Sequence, residues 1–136
     1  MSSTIDTEET FKVGEATIIP SCSPSTEYQV VFEDDCETGY FYGLDNTRGD
    51  HRILDALHVY NVSNVVDKDK PSLVQIMWSE DGFKAALLIN EFPHAVFDFA
   101  AKRGYCRTNF PNLPSSDADW SAQPKEWTDA AMDLFR

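Results

Sequence analysis

One stretch narrows the fold more than any other: LVQIMWSEDGFKAALLIN, Leu73 to Asn90. Val74, Ile76 and Trp78 fall on alternate positions, the two-residue period of a half-buried strand. SEDG, Ser79 to Gly82, then turns the chain, with Gly82 free to take the positive φ that tight hairpins demand. Phe83, Ala85, Leu87 and Ile89 alternate on the returning run. NEFPH turns the chain again, and in HAVFDFA the side chains of Ala95, Phe97 and Phe99 share one face. Three consecutive amphipathic strands commit the chain to burying one face of an antiparallel sheet.

EATII, Glu15 to Ile19, is strand-like and ends at Pro20, and PSCSPSTE reads as a Ser/Pro loop. Tyr28, Val30 and Phe32 alternate with Gln29, Val31 and Glu33, and YFYGLD follows after a short acidic segment, so a hairpin is expected over Val30 to Asp45. A further strand is placed over Ala56 to Val62, and DKDKP is a charged turn. NFPNLPSSDADWSAQP, with three prolines, reads as a surface loop. After it Pro124 suits the first turn of a helix, Glu126 and Asp129 its positive end, and Trp127, Ala131, Leu134 and Phe135 one apolar face. The expected class is α+β, mainly β: an antiparallel sheet of about six or seven strands, built as hairpins and covered by a C-terminal helix. Residues 1–10 have little to bury and are expected to be flexible, with 11–136 a single globular domain.

Charge bounds the partners. The net charge is −12, and from Met1 to Glu37 nine acids face Lys12 alone. Such a field repels nucleic acid and anionic lipid and attracts a basic protein, at rates that fall as salt rises. The apolar runs are too short to span a bilayer, and the N-terminus lacks the basic-then-apolar pattern of a signal peptide. Three widely spaced cysteines without a C-x-x-C pair fit reduced thiols, so a cytoplasmic location is expected.

Several chemistries were weighed on residue type and spacing. Glu33, Asp34, Asp35 and Glu37 crowd around Cys36, but EDDCETG lacks the regular register of a calcium loop, and neighbours in a hairpin splay to opposite faces. A solvated turn or a partner's landing site suits them better than a metal. His94, Asp98 and Cys106 invite a thiol triad, yet side chains four apart on a strand stand roughly 13 Å apart. His51, His58 and His94 lack the paired spacing of zinc sites, no phosphate-cradling loop occurs, and no cofactor is implied. Arg48-Gly49-Asp50 reads as a turn. AKRGYCRTNF mixes three cations with aromatic residues, for which pairing with the acidic hairpin is the simplest use.

Taken together, VVFEDDCETGYFYGLD, ILDALHVYNV, MWSEDGFKAALLIN, HAVFDF and GYCRTNFP resemble, in that order, a family of small bacterial proteins of unknown function, from about Phe11 to Phe135. The resemblance implies a single bacterial cytoplasmic domain and carries no activity. The hairpins WSEDGFKAALLIN and HAVFDF also look like those of small immunity proteins that neutralise bacterial toxins. That likeness implies an acidic, non-enzymatic protein with a basic partner.

The functional expectation is therefore a non-catalytic binding module that meets a basic protein through Glu33, Asp34, Asp35 and Glu37. Tyr40 and Tyr42 are assigned first to the core and second as aromatic anchors. One alternative is a small-molecule or enzymatic pocket between sheet and C-terminal helix, lined by Trp78, His94, Asp98, Tyr105 and Trp127. Another is a homodimer paired through a strand edge.

Overall fold

A computed structural model describes residues 4–108, 120 and 126–135. The described residues form nine strands in two antiparallel sheets. The strands are β1 (Thr4–Phe11), β2 (Thr17–Cys22), β3 (Tyr28–Asp34), β4 (Thr38–Asp45), β5 (Ile53–Asn61), β6 (Ser72–Trp78), β7 (Lys84–Ile89), β8 (Phe92–Asp98) and β9 (Arg103–Cys106). One sheet has the order β1-β6-β7-β8-β9, the other β2-β3-β4-β5. Each is a meander, with β1 added to the first by a long-range pairing with β6.

This corrects the α+β expectation. The chain is nearly all β, in two sheets rather than one, and has no covering C-terminal α-helix among the described residues. Asp129–Phe135 is a 3-10 helix of seven residues. So short a segment gains too few hydrogen bonds to offset α-helix nucleation. Its Ala131 and Phe135 nevertheless reach Ala86 and Val96 on the outer face of the larger sheet. Pro124 and Leu134, also placed on the expected helix, lie outside what is described.

The alternation at Leu73–Phe99 is realised except at Phe83, which precedes β7 and is 36% exposed. Val74, Ile76, Trp78, Ala85, Leu87, Ala95, Phe97 and Phe99 all face inward. The β7–β8 turn places both Asn90 (φ 52) and Glu91 (φ 67) in the left-handed region, as a two-residue hairpin of matching twist requires. From the smaller sheet Ile19, Val30, Phe32, Phe41, Leu57 and Val59 meet this face and complete the core. Phe41 stacks on Phe97 with ring centroids 5.2 Å apart, and Phe11 meets Phe32 edge-on at 5.3 Å.

Two local readings change, and a third lies largely outside the described residues. Pro20 lies within β2 instead of ending it, which an edge strand tolerates because one side of its backbone is unpaired. Thr4–Phe11 pairs as β1 although its side chains are mostly exposed; backbone bonding to β6 does what burial does elsewhere. The Pro-rich stretch lies outside the described residues except at Trp120, which is 1% exposed and sits edge-on to Phe97 and Phe99 at 5.9 and 5.6 Å.

Side chains close both flanks of the sandwich. Ser21 Oγ donates to Asp6 Oδ2 (2.5 Å) and accepts from Trp78 Nε1 (2.8 Å), tying β2 to β1 and β6. The Thr108 hydroxyl donates to the carbonyl of His58, tying the end of β9 to β5. At one end, Ser23 Oγ and Thr26 Oγ1 donate to the carbonyl of Gly82 (2.9 and 3.2 Å), and Ser25 Oγ to that of Asp81 (2.9 Å). The Ser/Pro loop thus latches the β6–β7 turn.

Candidate functional site

The alternation of β3 decides the fate of the acidic cluster. Val30 and Phe32 face inward, so Glu33 faces out and Asp34 faces in. Asp34 is 1% exposed. Its Oδ2 accepts from the Gly14 amide (2.8 Å) and the Tyr60 hydroxyl (2.6 Å), and its Oδ1 from the Cys36 amide (2.8 Å). Burial and the neighbouring carboxylate raise the Tyr60 phenol above its usual range, so it stays a donor. Asp34 is a structural acceptor and is not presented to a partner.

The tip beyond it is exposed. Cys36 takes φ 81, and the Asp35 carboxylate folds back on the turn, accepting from the amides of Glu37 (3.0 Å) and Thr38 (2.7 Å) and from the Thr38 hydroxyl (3.0 Å). Those amide donors hold the Asp35 carboxyl below its ordinary range, so it carries full charge at neutral pH. Glu37 is exposed. The carboxylates therefore diverge: Asp34 inward, Asp35 to its own turn, Glu37 to solvent. Among the described residues no three histidine, cysteine or acidic side chains gather as a metal site.

Tyr40 and Tyr42 lie on the outer face of the smaller sheet, half-buried, while Phe41 between them takes the core position. This reverses their first assignment to the core. Gly39 precedes them because the Tyr60 ring lies over it: a Cβ there would come within 2.5 Å of that ring. Tyr40 stacks on Tyr42 at 5.8 Å and on His58 at 4.8 Å, and the Tyr42 hydroxyl donates to Glu33 Oε1 (3.1 Å). Burial first, and then the Glu33 carboxylate, push the Tyr42 phenol up to about 12. The result is an aromatic row with Glu33 at its side and Asp35 and Glu37 at its end. The Gly14–Asp34 bond sets the β1–β2 turn, with exposed Glu15, against the same tip.

The second group of candidates is spread over three places. Trp78 is in the core, bonded to Ser21. Asp98 is buried and accepts from the Ala101 amide (3.1 Å), while Tyr105 and Trp127 pack on the outer cluster around Ala86, Val96 and Phe135. His94 sits at the far end of β8, beside the β7–β8 register shift, with Phe92 edge-on at 5.4 Å. Its nearest cation, Arg107, and above all its burial lower its pKa, so the imidazole is neutral at pH 7. Cys106 Sγ lies 3.5 Å from the His58 carbonyl and 3.2 Å from Thr108 Oγ1, so His94, Asp98 and Cys106 each have separate surroundings.

The basic segment is not spent on the acidic tip. The Arg107 guanidinium lies between the rings of Phe92 and Trp127, 4.4 and 4.2 Å from their centroids, and its Nε donates to the Pro93 carbonyl. Arg103 lies over Tyr105 at 4.3 Å. Arg48, in the Arg-Gly-Asp turn, reaches Asp45 at 3.6 Å.

A family model described as an uncharacterised protein conserved in bacteria (DUF2251) matches residues 11–136. The chain belongs to this family. A relative, an uncharacterised protein of Haemophilus influenzae, is 45% identical over 96 residues, which is 71% of this chain and 59% of that protein. The chain thus matches about three fifths of the relative's length. No solved structure matches. Membership agrees with the family resemblance of the motifs and adds no activity to it. No described helix is long and apolar enough to cross a membrane.

Two residues that organise the site escaped the sequence reading. Tyr60 was placed only on a strand, though its pairing with Gly39 is the signal of an aromatic ring laid over a glycine. Asp34 was grouped with its acidic neighbours, although continuing the Val30–Phe32 alternation by one step turns it inward.

Proposed function

We propose that this DUF2251 member is a non-catalytic, cytoplasmic binding module that engages a basic protein partner through the β3–β4 tip and the aromatic row beside it, in the manner of an immunity or inhibitor protein. The observation that carries this reading is a charge imbalance at one corner. Glu15, Glu33, Asp35 and Glu37 make no ion pair with a cation among the described residues, while Arg107 is held elsewhere between two rings. An uncompensated acidic corner steers a cationic partner, and a half-buried tyrosine pair beside it supplies the flat, low-entropy contact that binding anchors use. Arginine stacks on such rings. The free, exposed thiols of Cys22 and Cys36 fit a reducing compartment.

The test is capture from a lysate of the source bacterium at low and high salt, with the native chain and with E33K/D35K/E37K. A basic protein retained by the native chain at low salt, released by salt and lost with the reversed tip, is the expected result. Capture indifferent to both salt and charge reversal refutes it. Sedimentation of the same samples covers the homodimer alternative; among the edge strands, β2 carries Pro20, which blunts pairing.

A further inference from the structure

The two sheets part at the end opposite the Ser/Pro latch. There they leave a cleft of about 550 Å³ between β5, the start of β6, the β7–β8 turn and the loop that carries Val65 and Val66. That volume is in the range of small-molecule sites, about 300–1,000 Å³. Its lining is mixed: Val13, Val65, Val66, Pro71 and Ile89 give it an apolar part, Asp67, Lys70, Ser72, Asn90 and His94 a polar one, and Val66 is 81% exposed.

Of the neutral polar groups around it, those of Tyr60, Asn90 and Ser72 are committed. The Tyr60 hydroxyl is given to Asp34. Asn90 Oδ1 accepts from the Leu73 amide at 2.9 Å, and its Nδ2 lies 3.4 Å from Ser72 Oγ. His94 differs. It lines the cleft, is half-buried, and its ring makes no hydrogen bond among the described residues; its recorded neighbour is the edge-on Phe92 ring. A neutral imidazole offers one donor and one acceptor. An uncommitted imidazole inside valine and isoleucine walls is the arrangement that holds one oxygen of an otherwise apolar molecule.

We propose that this cleft binds a small amphiphile, an apolar chain with a single hydrogen-bonding oxygen head, with His94 as the partner of the head and Val13, Val65 and Ile89 as the walls around the chain. Lys70 in the lining adds attraction for a carboxylate head, and Asp67 in the same turn subtracts some. This site is independent of the acidic tip, and either can fail without the other.

Octanoate and octanol are the probes, titrated into isotope-labelled protein with amide and His94 ring resonances followed by NMR. Saturable shifts confined to Val13, Tyr60, Val65, Ile89 and His94 are expected for one or both. Octanoate alone identifies an anionic head, and octanol as well a neutral one. Replacing His94→Phe keeps the ring and removes the nitrogens; affinity should fall roughly fivefold to tenfold, the worth of one hydrogen bond. Val66→Glu, at a position where folding is not at stake, should weaken octanoate more than octanol. The proposal is overturned if neither probe saturates at millimolar concentration, if shifts scatter over the outer sheet faces, or if His94→Phe binds as tightly as the native chain.

Discussion

Changing Asp34→Asn replaces one oxygen by an NH₂ group and alters nothing else in size. The carboxylate accepts three hydrogen bonds, two at Oδ2 from Gly14 and Tyr60 and one at Oδ1 from Cys36. An amide has a single acceptor oxygen, so in either orientation its NH₂ meets at least one donor head-on. Hydrogen bonds to charged groups contribute about 1.5–3 kcal/mol each, and an orphaned buried donor adds its desolvation cost. The expected loss is therefore about 3 kcal/mol. Tyr60→Phe removes one of the three donors and should cost about 1.5 kcal/mol. The two changes share a partner, so the double variant should fall short of their sum by about 1 kcal/mol, well outside the additivity of independent sites. Urea unfolding followed by tryptophan fluorescence measures all three, with the Asp34→Asn midpoint lower by roughly 1–2 M at ordinary m-values. Glu37→Gln removes a charge from the same hairpin with no side-chain partner to lose, and its midpoint should not move. An Asp34→Asn variant within about 0.5 kcal/mol of the native protein, or strict additivity with Tyr60→Phe, would refute the buried-acceptor role.

Gly82→Ala should destabilise by about 3 kcal/mol, since φ 75 strains any L side chain and a Cβ would come within 2.2 Å of Ser25 Oγ, breaking the latch; thermal unfolding reads it. Asp81 is held down to about 2 by Ser79 and Lys84, so its contribution is complete above the unfolded value near 3.9 and lost as pH falls through about 2; Asp81→Asn should flatten that part of an acid-unfolding curve. Tyr42, at about 12, has the opposite sign. Its contribution is whole below about 10 and fades as pH rises toward about 12, and Glu33→Gln should bring its ultraviolet ionisation to lower pH. Arg107→Lys keeps the charge but loses the planar group between Phe92 and Trp127, and should loosen the C-terminal 3-10 helix, read as faster amide exchange at Ala131.

Much of the sheet structure was legible because burial on one face writes itself as alternation. Val74 to Phe99 show this, and so does the β3–β4 hairpin. The division into two sheets was not legible. The break falls between β5 and β6, where consecutive strands do not pair, and β1 joins the far sheet through Thr4–Phe11, which carries almost no apolar signal because its pairing is made by backbone groups that every sequence has. Trp120 was hidden for a similar reason: one anchor inside a polar, proline-rich stretch has no period to detect. The C-terminal apolar positions were identified, but spacing near three to four residues does not separate an α-helix from a 3-10 turn. At the candidate site the hairpin and its charge were visible in advance. Which acid is buried became clear only from the partners Gly14 and Tyr60, which are distant in sequence.

The Ser/Pro latch gives the sandwich a front and a back. Ser23, Ser25 and Thr26 hold the turn at Asp81 and Gly82 at one end of the two sheets, and Ser21 and Thr108 tie the flanks. The cleft lined by Tyr60 and His94 lies at the opposite end. Three hydroxyl-to-carbonyl bonds thus secure one end of the sandwich, and the acidic tip lies toward the other, joined to the cleft through the Tyr60–Asp34 bond.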